Sequence, residues 1–559
     1  MHNFRDELYS LNNENLFQDY VRAGKESLQR LLINKDEARF ATGQYSKEAF
    51  YSLIEEYSVL PGQPQPPVQQ VQKMAKDLFA GVPRYKSPQL LYNVGTAVNE
   101  AAAALYALGL DESILYINDG LAGNTLVAEH AVVNIVGHLA GVKTKPYGIF
   151  TFGGTATNLY GMKIGLKKAF PASSRKGIPE NVRVFAAEDA HFSHDASADW
   201  LGIGTERIVV VRAGEDRTTD LKDLEHKLRS ALKAGCRVGA IVINGGTTYS
   251  HTIDPIAEIA DLRDGLVKEF SLDYKPHIHV DTVIGWAWLF FKDYDWVHNV
   301  LRLDEDVLEG LKFQYERIKE LYRADSWGID FHKGVGSCPI ACSLVVINDF
   351  KDAMLLSRKQ STGIDIHQLA AEHSFESPVD YTLETTRMSG PPLAALAALR
   401  TLGSLGYQSN LANLVGQTMY MKKQLVKRGR LLIANPKSVG FATALRLVPP
   451  GMPVVASSEE FLDSSPAMKE RSDRITDYTE QFFNWDYETR IKMGKGPEYS
   501  YSSGYAVMPS GAKLGIIKLY PVSPFFDRHY SEETVNTIVQ RQAAFDGIWL
   551  KRHKATVNV

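Results

Sequence analysis

Ser326-Trp-Gly-Ile-Asp-Phe-His-Lys-Gly-Val-Gly-Ser-Cys-Pro-Ile-Ala-Cys-Ser-Leu-Val-Val346 sets the pair His332-Lys333 between two apolar stretches, Trp327 to Phe331 and Ala341 to Ile347, that read as β-strands. With buried neighbours on both sides, Lys333 is not an ordinary solvated charge. A free lysine amine titrates at about 10.4 and is a poor nucleophile at neutral pH. Burial lowers that value, and the neutral amine then condenses with an aldehyde as a Schiff base. Alone, the segment reads as a lysine in a strand-to-strand turn, because single short motifs are weak signals. Three other segments reverse that reading.

The first is Gly148-Ile-Phe-Thr-Phe-Gly-Gly-Thr-Ala-Thr-Asn-Leu159. Ile149 to Phe152 reads as a short strand and Gly153-Gly154 as a tight turn. Thr155 or Thr157 is placed to cap a helix, with Leu159, Met162 and Leu166 on one face of it. A helix N-terminus of bare glycine backbone and hydroxyls suits a phosphate group. The Gly-Lys-Ser/Thr ending of a nucleotide P-loop is absent. The second is Pro276-His-Ile-His-Val-Asp-Thr-Val-Ile-Gly-Trp286. Asp281 stands at a strand end among apolar residues, either solvated at the sheet edge or facing the ring nitrogen of a cofactor. At about 4 Å and an effective dielectric near 20, opposite charges gain roughly 4 kcal/mol, enough to hold a pyridine nitrogen protonated. His277 and His279 share a strand face, but no Cys or carboxylate pattern completes a metal site, and none is expected. The third is Glu188-Asp-Ala-His-Phe-Ser-His-Asp195. His191 follows the strand Val182 to Ala187 and opens a helix. It reads as a loop histidine, or as an imidazole that stacks on a flat ring or moves a proton.

From about residue 90 to 395, helix and strand alternate. Leu221, Leu224, Leu228 and Leu232 line a helix, and Val238 to Ile243 follows as a buried strand. The alternation predicts a mainly parallel α/β sheet with helices on both sides, whose ligands gather at the strand carboxyl ends. The expected division is an N-terminal helical segment (1–90), a large α/β domain (91–395) and a small C-terminal α+β domain (396–559). Pro61-Gly-Gln-Pro-Gln-Pro-Pro67 reads as an extended linker. Within the last domain, residues 464 to 504 read as a polar, tyrosine-rich insertion and a mobile loop.

Taken in order, Gly-Gly-Thr, Ala-His-Phe-Ser, Gly-Thr-Thr, His-Val-Asp and His-Lys resemble the group II pyridoxal-phosphate-dependent amino-acid decarboxylases, which include the glutamate and aromatic L-amino-acid decarboxylases. The similarity covers roughly residues 80 to 400 well and the remainder loosely. The resemblance implies a fold-type I enzyme and pyridoxal 5'-phosphate as cofactor. It implies that Lys333 carries the cofactor, that His332 sits beside the phosphate or the substrate carboxylate, that Asp281 pairs with the ring nitrogen, and that His191 stacks on the ring. Gly154, Thr155 and Ala156 would hold the phosphate, Thr248 the cofactor's polar edge, and Val283 would pack on the ring. Arg387, in Tyr381-Thr-Leu-Glu-Thr-Thr-Arg387, would meet a phosphate or substrate carboxylate; a structural salt bridge is the equal alternative. A homodimer is implied as well.

Two departures stand out. The stretch between Asp281 and Lys333 is long and carries an added helix in Asp304 to Leu321, with Leu308, Leu311, Tyr315 and Ile318 on one face. The loop of about Lys359 to Asp380, where relatives place a tyrosine that protonates the substrate carbon, contains His367, His373 and Phe375 instead. Three readings follow. The first is decarboxylation of an L-amino acid to the amine and carbon dioxide. The second is a carbon–carbon lyase or oxidative, aldehyde-forming decarboxylase on the same cofactor. The third is a silent, non-enzymatic relative, which had no need to keep Lys333, Asp281 and His191 together.

The composition agrees with a globular enzyme. The 559 residues support two or three domains. A net charge of −3 gives no reason for a nucleic-acid or anionic-membrane partner. Three cysteines, Cys236, Cys338 and Cys342, fit a reducing cytoplasm. Met1-His-Asn-Phe-Arg-Asp-Glu-Leu8 has no apolar signal region, and the longest apolar run, Val283 to Phe291, is too short to span a bilayer. A cytoplasmic location is expected.

Overall fold

The computed structural model describes residues 8–9, 15–32, 34–41, 46–214, 216–358, 375–493 and 496–555. The chain divides into two compact units, one of residues 94–419 with 435–442, the other of residues 1–93, 420–434 and 443–559. In chain order the strands are β1 (Leu90–Leu91), β2 (Tyr147–Thr151), β3 (Val182–Ala187), β4 (Ile208–Val211), β5 (Arg237–Asn244), β6 (His277–Asp281), β7 (Ser326–Asp330), β8 (Ser343–Ile347), β9 (Leu431–Ile433), β10 (Thr443–Leu447), β11 (Glu498–Val507) and β12 (Lys513–Leu519).

The first unit is built on a seven-stranded sheet of order β2-β8-β7-β6-β5-β3-β4. Strands β4, β3, β5, β6 and β7 run parallel to one another, and β8 runs antiparallel to both β7 and β2. The mainly parallel α/β sheet expected from the alternation is therefore present. Its strands are almost continuously apolar because both faces are covered: every residue of β2, β7 and β8 is buried.

The helix Gly154–Ala169 lies on this sheet with unusual intimacy. A Cβ at Gly165 would stand 2.0 Å from Gly239 O, and one at Gly161 would stand 2.3 Å from His279 Nδ1. Only glycine permits that approach. Met162 and Leu166 on the same helix are fully buried against Val182, Val184, Ala240 and Val242, each such side chain stabilising by about 1.5–3 kcal/mol. The close seat brings the helix N-terminus to the carboxyl ends of the central strands. The register places Asn244 beside Asp281, and Asp281 beside Gly328, two residues before Asp330. The added helix is present as Glu305–Ile318, and Leu311 and Ile318 are buried.

The second unit holds a five-stranded sheet of order β1-β11-β12-β10-β9, with the helices Pro466–Met493 and Arg528–Ala555. Here the expectation for residues 464 to 504 is corrected: among the described residues of this segment, Pro466–Met493 form a 28-residue helix and β11 begins at Glu498, where a mobile loop was expected. Its polar residues misled because several of them are interior. Asp486 is fully buried and accepts from Arg490 Nε (2.7 Å), Arg541 Nη1 (2.6 Å) and the Tyr499 hydroxyl. A buried charge persists only when it is paired in this way. No helix among the described residues is long and apolar enough to cross a membrane.

Candidate active site

Eight of the ten residues singled out from the sequence line one cavity at the carboxyl ends of the central strands: Gly154, Thr155, His191, Thr248, Asp281, Val283, His332 and Lys333. Ser193, Asn244, Gly246, Thr247 and Asp330 line it too. The last five had no role assigned from sequence. Ala156 is fully buried in the first turn of its helix, and its N–H is spent on Gly153 O at 2.9 Å.

The helix Gly154–Ala169 starts directly after Gly153 and has no side-chain cap. The expected Thr155 or Thr157 cap is absent, because Thr157 instead donates its hydroxyl to Gly154 O (2.7 Å). The first-turn N–H groups of Gly154 and Thr155 therefore have no intrahelical acceptor, which is the arrangement that receives an anion. The cavity floor is bare backbone for a steric reason. A Cβ on Gly154 would meet Asp330 Oδ2 at 2.7 Å and Val283 Cγ1 at 3.0 Å. One on Gly246, whose φ is +126°, would meet Gly285 N at 2.7 Å.

Asp281, at the end of β6, is held by two neutral donors, Asn158 Nδ2 at 2.9 Å and the Val283 N–H at 3.3 Å. His191 lines the cavity while remaining exposed to solvent. Its Nδ1 accepts the Ser193 N–H at 3.2 Å. Partial desolvation lowers its pKa below the usual imidazole value; the nearby Lys333 charge adds to this and Asp281 opposes it. Asn244 presents a buried Nδ2 without a hydrogen-bond partner, a donor left over at the edge of the cavity. His332 contacts the Cys342 backbone through Nδ1 at 3.2 Å, and its Nε2 lies 3.8 Å from Asp330 Oδ2.

Lys333 requires a correction. Burial was expected to lower its pKa, and burial does act in that direction. However, Lys333 Nζ lies 2.8 Å from Oδ2 of the fully buried Asp330, and this carboxylate, with Asp281 beyond it, overrides the desolvation and raises the pKa above the ordinary lysine value. The resting amine is an ammonium paired with Asp330, whose other oxygen accepts from the Ser343 hydroxyl.

Arg387 is not among the cavity residues. It is buried, its guanidinium paired with the buried Glu129, and it also donates to Phe150 O at 3.2 Å. Of the two readings left open for it, the structure contains the salt bridge. Of the loop that carries His367 and His373, residues 359–374 lie outside the described residues, and Phe375 is exposed.

An amine, an acceptor carboxylate, a flat imidazole and an uncapped helix N-terminus thus face one space. These are the groups needed to hold a phosphorylated pyridine aldehyde, and the glycine-floored cavity with its unpaired Asn244 donor fits such a molecule.

No protein-family model matches the chain. Over part of its length it is similar to curated decarboxylases. It is 26% identical over 357 residues to the acidic amino acid decarboxylase GADL1 of Bos taurus, covering 62% of this chain and 61% of that one. It is 27% identical over 337 residues to the L-2,4-diaminobutyrate decarboxylase of Acinetobacter baumannii, covering 57% and 58%. The match thus spans about three fifths of the length of these relatives. In fold, the likeness extends over most of the chain. Mouse CSAD superposes with a TM-score of 0.73 at 17% identity, covering 94% of this chain and 99% of that one. The glutamate decarboxylase domain of a Vibrio parahaemolyticus diaminobutyrate-pyruvate transaminase and L-2,4-diaminobutyrate decarboxylase gives 0.71 at 17% identity, covering 96% and 97%.

Proposed function

We propose that this chain, a relative in sequence and fold of the group II pyridoxal-phosphate-dependent amino-acid decarboxylases, removes the α-carboxylate of an L-amino acid as carbon dioxide, with pyridoxal 5'-phosphate as its cofactor. The observation that carries this reading is the convergence of Lys333, Asp281, His191 and the Gly154 helix terminus on one cavity. When bound, the cofactor supplies the electron sink for the pair left behind by carbon dioxide. The protein's part is orientation and charge. The Gly154 and Thr155 N–H groups bind the phosphate, and Thr248 and Asn244 offer polar contacts to the ring's edge. Asp281, held by the neutral donors Asn158 Nδ2 and Val283 N–H, would keep a proton on the ring nitrogen. His191 is neutral near pH 7 and covers one ring face without adding a competing charge. Lys333 becomes a nucleophile only after its proton leaves Nζ, and Asp330 at 2.8 Å is the acceptor in reach.

The working form is proposed to be a cytoplasmic homodimer. The cysteines are free, as in a reducing compartment. Leu105, Leu108, Leu110 and Val127 are exposed apolar side chains that a second copy would cover.

The test is carbon dioxide release by the cofactor-loaded protein from each common L-amino acid, with and without oxygen. Oxygen-independent release with the amine as product is expected. Ammonia and aldehyde as products would select the oxidative reaction, and absence of release from a cofactor-loaded protein would overturn decarboxylation.

A further inference from the structure

We propose that Asn158 is the positioning residue of this site: it holds Asp281 and, through Ser193, His191 in their places around the ring. This assignment rests on the pyridoxal-phosphate reading above. Asn158 lies in the helix Gly154–Ala169 and is 1% exposed. Its Nδ2 lies 2.9 Å from Asp281 Oδ2 and 2.8 Å from Ser193 Oγ. A carboxylate only accepts hydrogen bonds, so the amide must turn its nitrogen to Asp281, and its two N–H groups are then both committed. The amide oxygen is buried without a partner. The side chain therefore leaves its own acceptor unsatisfied while both donors serve two residues that line the cavity.

The chain of contacts continues. Ser193 donates its backbone N–H to His191 Nδ1 at 3.2 Å. With Nδ1 an acceptor, the neutral imidazole carries its proton on Nε2. Having accepted from Asn158, the Ser193 hydroxyl keeps its own proton for the cavity. One amide thus orients the carboxylate at the ring nitrogen, the hydroxyl beside it and, at one remove, the histidine over the ring.

The neutrality of Asn158 matters. Asp281 must remain an anion with an oxygen available to the ring. An arginine or lysine in place of Asn158 would hold the carboxylate as firmly, but it would also compensate the charge that the ring nitrogen needs. An amide fixes the position and leaves the charge uncompensated.

Two variants test this. Asn158→Asp has nearly the same shape and loses both donors. When ionised, it sets a second carboxylate against Asp281, and that repulsion raises the pKa at which the pair takes up a shared proton. Asn158→Leu removes the donors without adding an acid. The readout is the dissociation constant of pyridoxal phosphate, from titration of its absorbance, as a function of pH, with circular dichroism as the check on folding. The expected result for Asn158→Asp is binding weakened about tenfold at pH 8 that recovers as the pH falls below about 6, because a protonated carboxyl can donate again. Asn158→Leu should show a similar loss with no such recovery. If the leucine variant does not fold, the aspartate variant decides alone. Wild-type affinity and pH dependence in Asn158→Asp, or a loss equal at every pH, would overturn the positioning role. Failure of the wild type itself to bind pyridoxal phosphate would overturn the reading beneath it instead.

Discussion

Asp330 Oδ2 lies 2.8 Å from Lys333 Nζ, one turn back along the segment that leaves β7. The contact sets the direction of the lysine's shift, because burial would lower its pKa and the carboxylate outweighs that effect. Replacing Asp330 by Asn leaves burial opposed by the more distant Asp281, and the amine should lose its proton at lower pH. The rate at which the apo-protein captures pyridoxal phosphate should then reach its midpoint roughly one to two pH units below the wild type. Stopped-flow absorbance across pH measures this, and an unshifted midpoint would show that the pair does not govern the lysine.

Asp281 is expected to bear on turnover more than on binding. Its proposed partner is the ring nitrogen, and the interaction expected at about 4 Å is on the order of 4 kcal/mol, or about a thousandfold in rate. Asp281→Ala should still take up the cofactor, since the phosphate cradle and Lys333 remain, while turnover falls by about that factor. Near-normal turnover in the variant would remove Asp281 from the chemistry.

These two carboxylates also show what a sequence reveals and what it withholds. Asp281 was legible because it ends an apolar run, and strand carboxyl ends are where α/β sheets bind ligands. Lys333 was legible for the same reason, yet the direction of its pKa shift was not. Burial is inferable from neighbouring apolar residues, whereas the side-chain direction that brings Asp330 onto the amine is not. The spacing of three residues was the available signal. Asn158 and Ser193 lie 123 and 88 residues before Asp281 in the chain. The contacts of Asn158 with both Asp281 and Ser193 exist because the helix Gly154–Ala169 sits so close to β6, which Gly161 and Gly165 permit and no local pattern announces. In the second unit, composition itself misdirected: Asp486, Arg490 and Tyr499 look like solvent-facing residues until they are seen to satisfy one another in the interior.

The same close packing gives a prediction about acid. His279 and His277 are fully buried on β6, both bonded to Ser326 Oγ, at 2.8 Å and 2.7 Å. Burial holds His279 down to about 4, and His277 well below the usual value. A base whose folded pKa lies below its unfolded one binds more protons when unfolded, so its stabilisation is complete above about pH 6.5 and is lost as the pH falls toward 4. For His279 this amounts to roughly 3 kcal/mol. Asp254 runs the other way, since burial pushes it up to about 6 despite the backbone N–H groups of Asn244 and Thr219, so the wild-type curve mixes both. The clean quantity is the stability difference between wild type and His279→Asn, from urea midpoints at pH 7 and 4. It should shrink by about 3 kcal/mol on acidification, and a constant difference would mean that His279 is not held neutral.

Arg387 offers the sharpest separation of structure from binding. Its guanidinium and the Glu129 carboxylate are both buried, and the pair grips Phe150 in β2 from both sides. Glu129 Oε1 accepts the Phe150 N–H at 2.8 Å, and Arg387 Nη2 donates to the Phe150 carbonyl at 3.2 Å. Removing only the arginine strands a buried carboxylate, which typically costs about 3–5 kcal/mol. Arg387→Met should therefore be strongly destabilised, and adding Glu129→Gln should recover much of the loss, because no unpaired charge then remains. A phosphate-binding arginine behaves differently: its loss weakens the cofactor whatever stands at residue 129. In the double variant, the dissociation constant for pyridoxal phosphate should stay within about threefold of the wild type, whereas losing a charged phosphate contact would raise it about tenfold or more. Thermal unfolding of the three proteins, read beside cofactor titration, separates the two roles, and a weak-binding double variant with restored stability would return Arg387 to the cofactor site.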